Sequence, residues 1–189
     1  MNRYNLLLFY LYQFFSKASF QRGIFILYLT ELGFSGAQIG TLQALLFWSN
    51  LLSEVPTGIF GDRYGRKLSV ITGLALFAVN GIGQVLFGGF LPFLVIYALQ
   101  GIAFAFCSGS DEAMIYDYLK SIGAESKYIK VQSRLRAIGS LSLGTAMCVG
   151  GVLQGYSWKA VYCSYSLAML AGLMSIIFFS YSCSVLLHY

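Results

Sequence analysis

The chain has 189 residues, 58% of them hydrophobic and only 10% charged, with a formal net charge of +5 and a mean hydropathy of +0.72. A water-soluble domain carries about 25% charged residues, so this composition excludes one and makes lipid the main solvent. The positive balance does not call for nucleic acid, because the cations sit in short clusters between long uncharged runs, where they meet anionic lipid head groups.

A bilayer core of about 30 Å is crossed by about 20 apolar residues at about 1.5 Å each. The first candidate crossing is the least regular. Arg3, the apolar run 6–15 and "SKA" at 16–18 imitate a signal peptide with its cleavage site. Apolar character resumes in "GIFILYL" at 23–29, however, so 5–30 is expected to be one helix with Lys17 and Arg22 inside it. Tyr10, Gln13, Lys17, Gln21 and Tyr28 fall at helical spacing and form a polar stripe that must face protein or water. The run 32–53 is uncharged over 22 residues and places the second helix at 36–60, with Glu54 near its end.

The run 68–110 is uncharged over 43 residues. As one helix it would reach about 65 Å, so it holds two crossings, and "GGFLP" at 88–92 supplies the turn. Helices three and four are expected at 68–90 and 92–119. The runs 137–158 and 160–187, of 22 and 28 residues, place helices five and six at 128–155 and 158–187. Six crossings put both termini on one side. Arg3, Arg63, Arg66, Lys67, Lys120, Lys127 and Lys130 then share a face and Lys159 lies on the other, which makes the termini and the second and fourth loops cytoplasmic.

Chemistry-bearing residues are few. Cys107, Cys148, Cys163 and Cys183 lie within expected helices without metal or disulfide spacing, and His188 is nearly terminal. No metal and no cofactor are expected. There is no G-x-S-x-G elbow, no H-E-x-x-H and no histidine inside a span, so an enzyme is not expected. An ionisable group in hydrocarbon costs at least ~2.5 kcal/mol, which makes each intramembrane charge a functional candidate. Lys17 can pair with Asp111 or Glu112 across helices one and four. Such a pair either exchanges a proton or is a static tie, and both readings stay open at this level. Glu54 can meet Arg134 or Arg136 of helix five, and for it and Arg22 a structural role is preferred.

The loop "GIFGDRYGRK" at 58–67 carries Gly58, Asp62, Arg63, Gly65, Arg66 and Lys67 in the pattern G-x3-D-R-x-G-R-K. In physical terms Gly58 allows a neighbouring helix to approach, Gly65 permits a positive φ in a tight turn, and Asp62 can pair with Arg63 or Arg66 while Arg66 and Lys67 stay at the head groups. A simpler reading is that the three cations only fix topology. The pattern resembles the signature loop between helices two and three of the major facilitator superfamily of secondary transporters. "EVPTG" at 54–58, "SGSDEAMIYD" at 108–117 and "WKAVY" at 158–162 are also similar to its bacterial members.

That resemblance implies an all-α membrane protein, its residues 1–189 forming the superfamily's N-terminal bundle of six helices in two inverted three-helix repeats, in a bacterial inner membrane. It implies a latch in which an arginine of the loop meets an acid at the cytoplasmic end of helix four, a place Asp117 fills. It also implies a pathway for a small solute, with protons, around Lys17, Gln21, Glu54, Asp111, Glu112 and Arg134. Two motifs depart from the family. Gln100 and Gly101 fit R-x-x-Q-G in helix four but Tyr97 replaces the arginine, and Gly150 and Gly151 fit G-P-x-x-G-G in helix five but Ala146 and Met147 replace its first two residues. Helices seven to twelve do not follow, so the expected partner is a second six-helix bundle, either a separate C-terminal half or another copy. The rival expectation is a truncated or accessory membrane protein without transport of its own.

Overall fold

Lipid offers the backbone no hydrogen-bond partner but itself, so apolar runs separated by turn residues become helices. A computed structural model describes residues 3–179. It contains α1 (Arg3–Lys17), α2 (Phe25–Glu31), α3 (Gly36–Tyr64), α4 (Arg66–Leu86), α5 (Phe90–Cys107), α6 (Ser110–Ser121), α7 (Tyr128–Gln154) and α8 (Trp158–Phe178). A 3-10 turn (Glu125–Lys127) precedes α7, and no strand occurs among the described residues. The expected end of the last crossing at 187, with Cys183 and His188, lies outside the described residues.

Local chemistry sets the boundaries. Ser35 and Gln38 form a reciprocal cap at the start of α3, each side chain accepting from the other's backbone N–H at 3.3 and 2.9 Å. Gly65 separates α3 from α4 with φ of +98°, a conformation that costs any residue with a Cβ. Ser157 caps α8 by accepting from the Lys159 N–H at 3.1 Å.

Four segments of the described chain are both long and apolar enough to cross a membrane: Arg66–Leu86, Phe90–Ser121, Glu125–Gln154 and Trp158–Phe178. They correspond to the expected crossings three to six. The expected crossing 36–60 is α3, which has the length but not the apolar content of those four. The expected single helix over 5–30 is corrected. It divides into α1 and α2, joined by turns over 18–24 in which the Ser19 N–H donates to the Lys17 carbonyl and the Ile24 N–H to that of Gln21. Polar Ser16, Lys17, Ser19, Gln21 and Arg22 fall together there, followed by Gly23, and their backbone leaves the helix. The expected helix over 92–119 is likewise interrupted, at Ser108 and Gly109, where Gly109 has φ of +72°.

The main packing partners are α3 with α5, α4 with α5 and α8, and α1 with α7 and α8. Exchanging α1–α2 with α5–α6, α3 with α7 and α4 with α8 turns this set of pairings into itself. Two glycines make the equivalent contacts close. A Cβ on Gly101 would lie 2.3 Å from the Leu46 carbonyl oxygen, and one on Gly150 only 2.0 Å from that of Phe20. Backbone contact of this kind drives association where lipid removes the hydrophobic force. Polar side chains add ties. Asn80 donates to the Ile96 carbonyl at 2.6 Å, Gln84 to Asn80 at 2.7 Å and Tyr28 to the Gln84 carbonyl, joining α2, α4 and α5 in the buried interior. Phe9, Tyr12, Leu74, Met114, Leu119 and Met169 form the larger apolar cluster, and Leu29, Leu42, Phe93, Tyr97 and Tyr162 a second one toward the Glu31 end.

Candidate functional site

The two helix interruptions meet. Lys17 closes α1 and Asp111 opens α6, and the Lys17 ammonium lies 3.5 Å from the Asp111 carboxylate. Each charge also suits its own helix end, a cation at the carboxyl terminus of α1 and an acid at the amino terminus of α6. The Tyr12 hydroxyl donates to the other Asp111 oxygen. Tyr12 is fully buried and was not singled out from the sequence, because the polar stripe drawn through Gln13 and Lys17 passes beside it. Its spacing of four residues from Ser16, another cavity residue, was the available signal.

A cavity of about 1030 Å³ opens around this junction, near the upper end of the range for sites that hold drug-sized molecules. Gln13, Lys17 and Gln21 of the stripe line it, whereas Tyr10 and Tyr28 do not. Asp111, Glu112 and Arg136 line the same end as Lys17. Glu112 accepts from Arg136 at 3.1 Å and from Gln132 at 3.0 Å. Glu54 and Arg134 are brought neither into the cavity nor into an ion pair among the described residues. Of the two cations expected opposite Glu54, Arg136 instead meets Glu112 of α6, and α7 packs chiefly on α1, α8 and α6.

At the far end of the bundle Arg66 sits between two acids, 3.2 Å from Asp62 and 3.6 Å from Asp117. Asp62 thus pairs with Arg66 and not with Arg63, whose guanidinium lies over the Tyr64 ring at 5.5 Å. Asp62 is 70% exposed and the other two about 37%. Exposed pairs of this kind contribute about 0–1 kcal/mol, so the cluster adds little to the stability of the bundle. Lys67 caps a neighbouring helix. Its ammonium donates to the Ile177 and Phe179 carbonyls at 2.9 and 2.7 Å, binding the negative end of α8. A Cβ on Gly58 would meet nothing within 4 Å, so among the described residues no helix uses the close approach it permits.

An all-helical, lipid-soluble bundle with a cavity that gathers charged and amide side chains at two broken helices, and a charged turn at one end, has the architecture of a membrane transport protein. The family model for the Major Facilitator Superfamily matches residues 6–183, and the chain belongs to that superfamily. It is 27% identical over 161 residues to an uncharacterized MFS-type transporter, YxaM, of Bacillus subtilis, covering 83% of this chain and 38% of the relative. It is 31% identical over 105 residues to the drug efflux pump JefA of Mycobacterium tuberculosis, covering 55% and 20%. It is 26% identical over 160 residues to multidrug resistance protein 1 of Bacillus subtilis, covering 79% and 38%. The chain therefore spans less than two fifths of the length of these relatives. Membership identifies a multi-pass membrane transporter family and not an enzyme family.

Proposed function

We propose that the chain moves a small solute across a bacterial inner membrane as one six-crossing bundle acting with a second bundle. The observation that carries this reading is the cavity at the meeting of the α1–α2 and α5–α6 breaks, with the Lys17–Asp111 pair at its junction. Discontinuous helices at mid-membrane are how secondary transporters present helix ends and charged groups to a substrate. In this reading α1–α2 and α3 also cross, which makes six spans in two inverted three-helix repeats. The exchange symmetry of the packing pairs supports that arrangement. Both termini are then cytoplasmic. Cysteine-scanning labels placed at Arg66 and Lys159 are expected to react from opposite faces of intact cells, and reaction from one face would overturn the topology.

Coupling to protons is assigned to the Lys17–Asp111 and Glu112–Arg136 pairs, each of which exchanges a partner when solute or water enters. Arg66, Asp62 and Asp117 act as the latch that holds one orientation of the two bundles, with Gly65 as its turn and Arg63 and Lys67 flanking it. Asp62→Asn is expected to leave insertion and folding intact, because the pair is exposed, and to reduce flux at least tenfold. The assay is uptake or efflux of ethidium, a monocarboxylate and phosphate in proteoliposomes, with and without an imposed pH gradient. Retained flux in Asp62→Asn counts against the latch. Absence of flux in the parent chain, with and without a second copy or half, favours an accessory protein.

A further inference from the structure

We propose that the Glu31-side half of the cavity binds the anionic head of a small aromatic or amphiphilic solute, with Arg22 as its counter-ion. The inference rests on the transport reading but adds a ligand class to it. Its basis is a count of charges. Five ionisable side chains with Asp, Glu, Lys or Arg chemistry line the cavity: Lys17, Arg22, Asp111, Glu112 and Arg136. Four of them are closed into two pairs, Lys17 with Asp111 at 3.5 Å and Arg136 with Glu112 at 3.1 Å. All 7 acidic side chains of the chain lie within the described residues, and none is within 4 Å of Arg22. The cavity thus carries one guanidinium without an acid, on an exposed side chain at its wall, where a carboxylate or similar anion can meet it in a forked hydrogen bond.

The surroundings fit the same ligand. Gln21, beside Arg22 in the break, is only 7% exposed and its amide oxygen has no hydrogen-bond partner. The other end of that amide bonds Tyr165, and a buried acceptor left over is met by water or by a hydroxyl or N–H of a ligand. Gln43 and Gln100 supply further amides, and Phe25, Phe47 and Tyr97 supply aromatic walls. The two charge pairs belong to the other half of the cavity, toward the α6 terminus, so a bound anion need not displace them. The ligand that satisfies both halves of this description has one negative group, at least one hydrogen-bond donor and a flat apolar body.

The test uses the full chain in lipid nanodiscs and three probes with the same ring system: 3-hydroxy-2-naphthoate, 3-hydroxy-2-naphthamide and (2-naphthylmethyl)trimethylammonium. Binding is read by saturable quenching of tryptophan fluorescence and by thermal shift. The acid is expected to bind at least tenfold more tightly than the amide and the cation. Arg22→Gln is expected to remove that preference, and Arg22→Lys to retain most of it. If Arg22→Gln does not insert, Arg22→Met takes its place, with the same loss of preference expected and an undiminished preference again overturning the assignment. Equal affinity for acid and amide, preference for the cation, binding of none of the three, or an undiminished preference in Arg22→Gln overturns the assignment. The transport reading is judged separately, by flux of ethidium and phosphate, so its failure is distinguishable from failure of the anion site.

Discussion

Replacing Gly150 with alanine is expected to destabilise the bundle by about 3 kcal/mol, the upper end of what overpacking costs. The added methyl would stand 2.0 Å from the Phe20 carbonyl oxygen and 2.8 Å from its carbon. Backbone cannot rotate away as a side chain does, so α7 must separate from the 18–24 segment. That segment joins Lys17 to Arg22, so any protein that does insert should also lose the cavity geometry. The neighbouring Gly151 is the control, because a Cβ there meets nothing within 4 Å. Alanine at 151 gains helix propensity of up to about 1 kcal/mol and is expected to be neutral or mildly stabilising. Denaturation with SDS in mixed micelles, together with the yield of monodisperse protein, measures both variants. Equal losses at 150 and 151 would remove the close-contact account of this helix pair.

Lys17→Met should destabilise the bundle by about 2 kcal/mol, and Asp111→Asn placed with it should recover most of the loss. The magnitude lies between the ~0–1 kcal/mol of an exposed pair and the 3–5 kcal/mol of a broken buried one. Lys17 is 44% exposed but Asp111 only 16%, so the loss falls on the acid left behind. Tyr12 still donates to that acid and limits the cost. The cycle of single and double variants isolates the coupling, expected at about 1–2 kcal/mol. It also separates the two roles open for the pair. A static tie predicts that the double variant, once folded, transports with the parent's dependence on a pH gradient. A proton-exchanging pair predicts that gradient-driven flux is lost while solute exchange at equal pH survives.

Membrane character was legible because the evidence for it is local. An uncharged run such as 68–110 cannot remain in water, and its length alone demands a turn. The loop at 58–67 was legible for the same reason, since its glycines and charges lie within ten residues of one another. The breaks in helices one and four were less visible. "SGS" at 108–110 carried a turn signal that the surrounding apolar run obscured. The segment 18–24 has only Gly23 as a breaker, and its departure from the helix depends on α7 receiving Phe20 at Gly150.

Partner choice among the charges was the least legible. Arg136 lay within reach of Glu54 by helix order but binds Glu112, and Lys67 binds carbonyls at the end of α8. The amino-acid order by itself determined that this protein dissolves in lipid and where the charged turn between its second and third crossings lies, because hydropathy and turn chemistry act over a handful of neighbours. Only the tertiary structure chose among the pairings the sequence offered: Lys17 meets Asp111 and not Glu112, across 94 positions of sequence, Arg66 and not Arg63 stands between Asp62 and Asp117, and Arg22 is left without an acid. In a low-dielectric medium a charge takes whichever partner the packing of whole helices brings within 4 Å, and that packing is set by where backbones can touch.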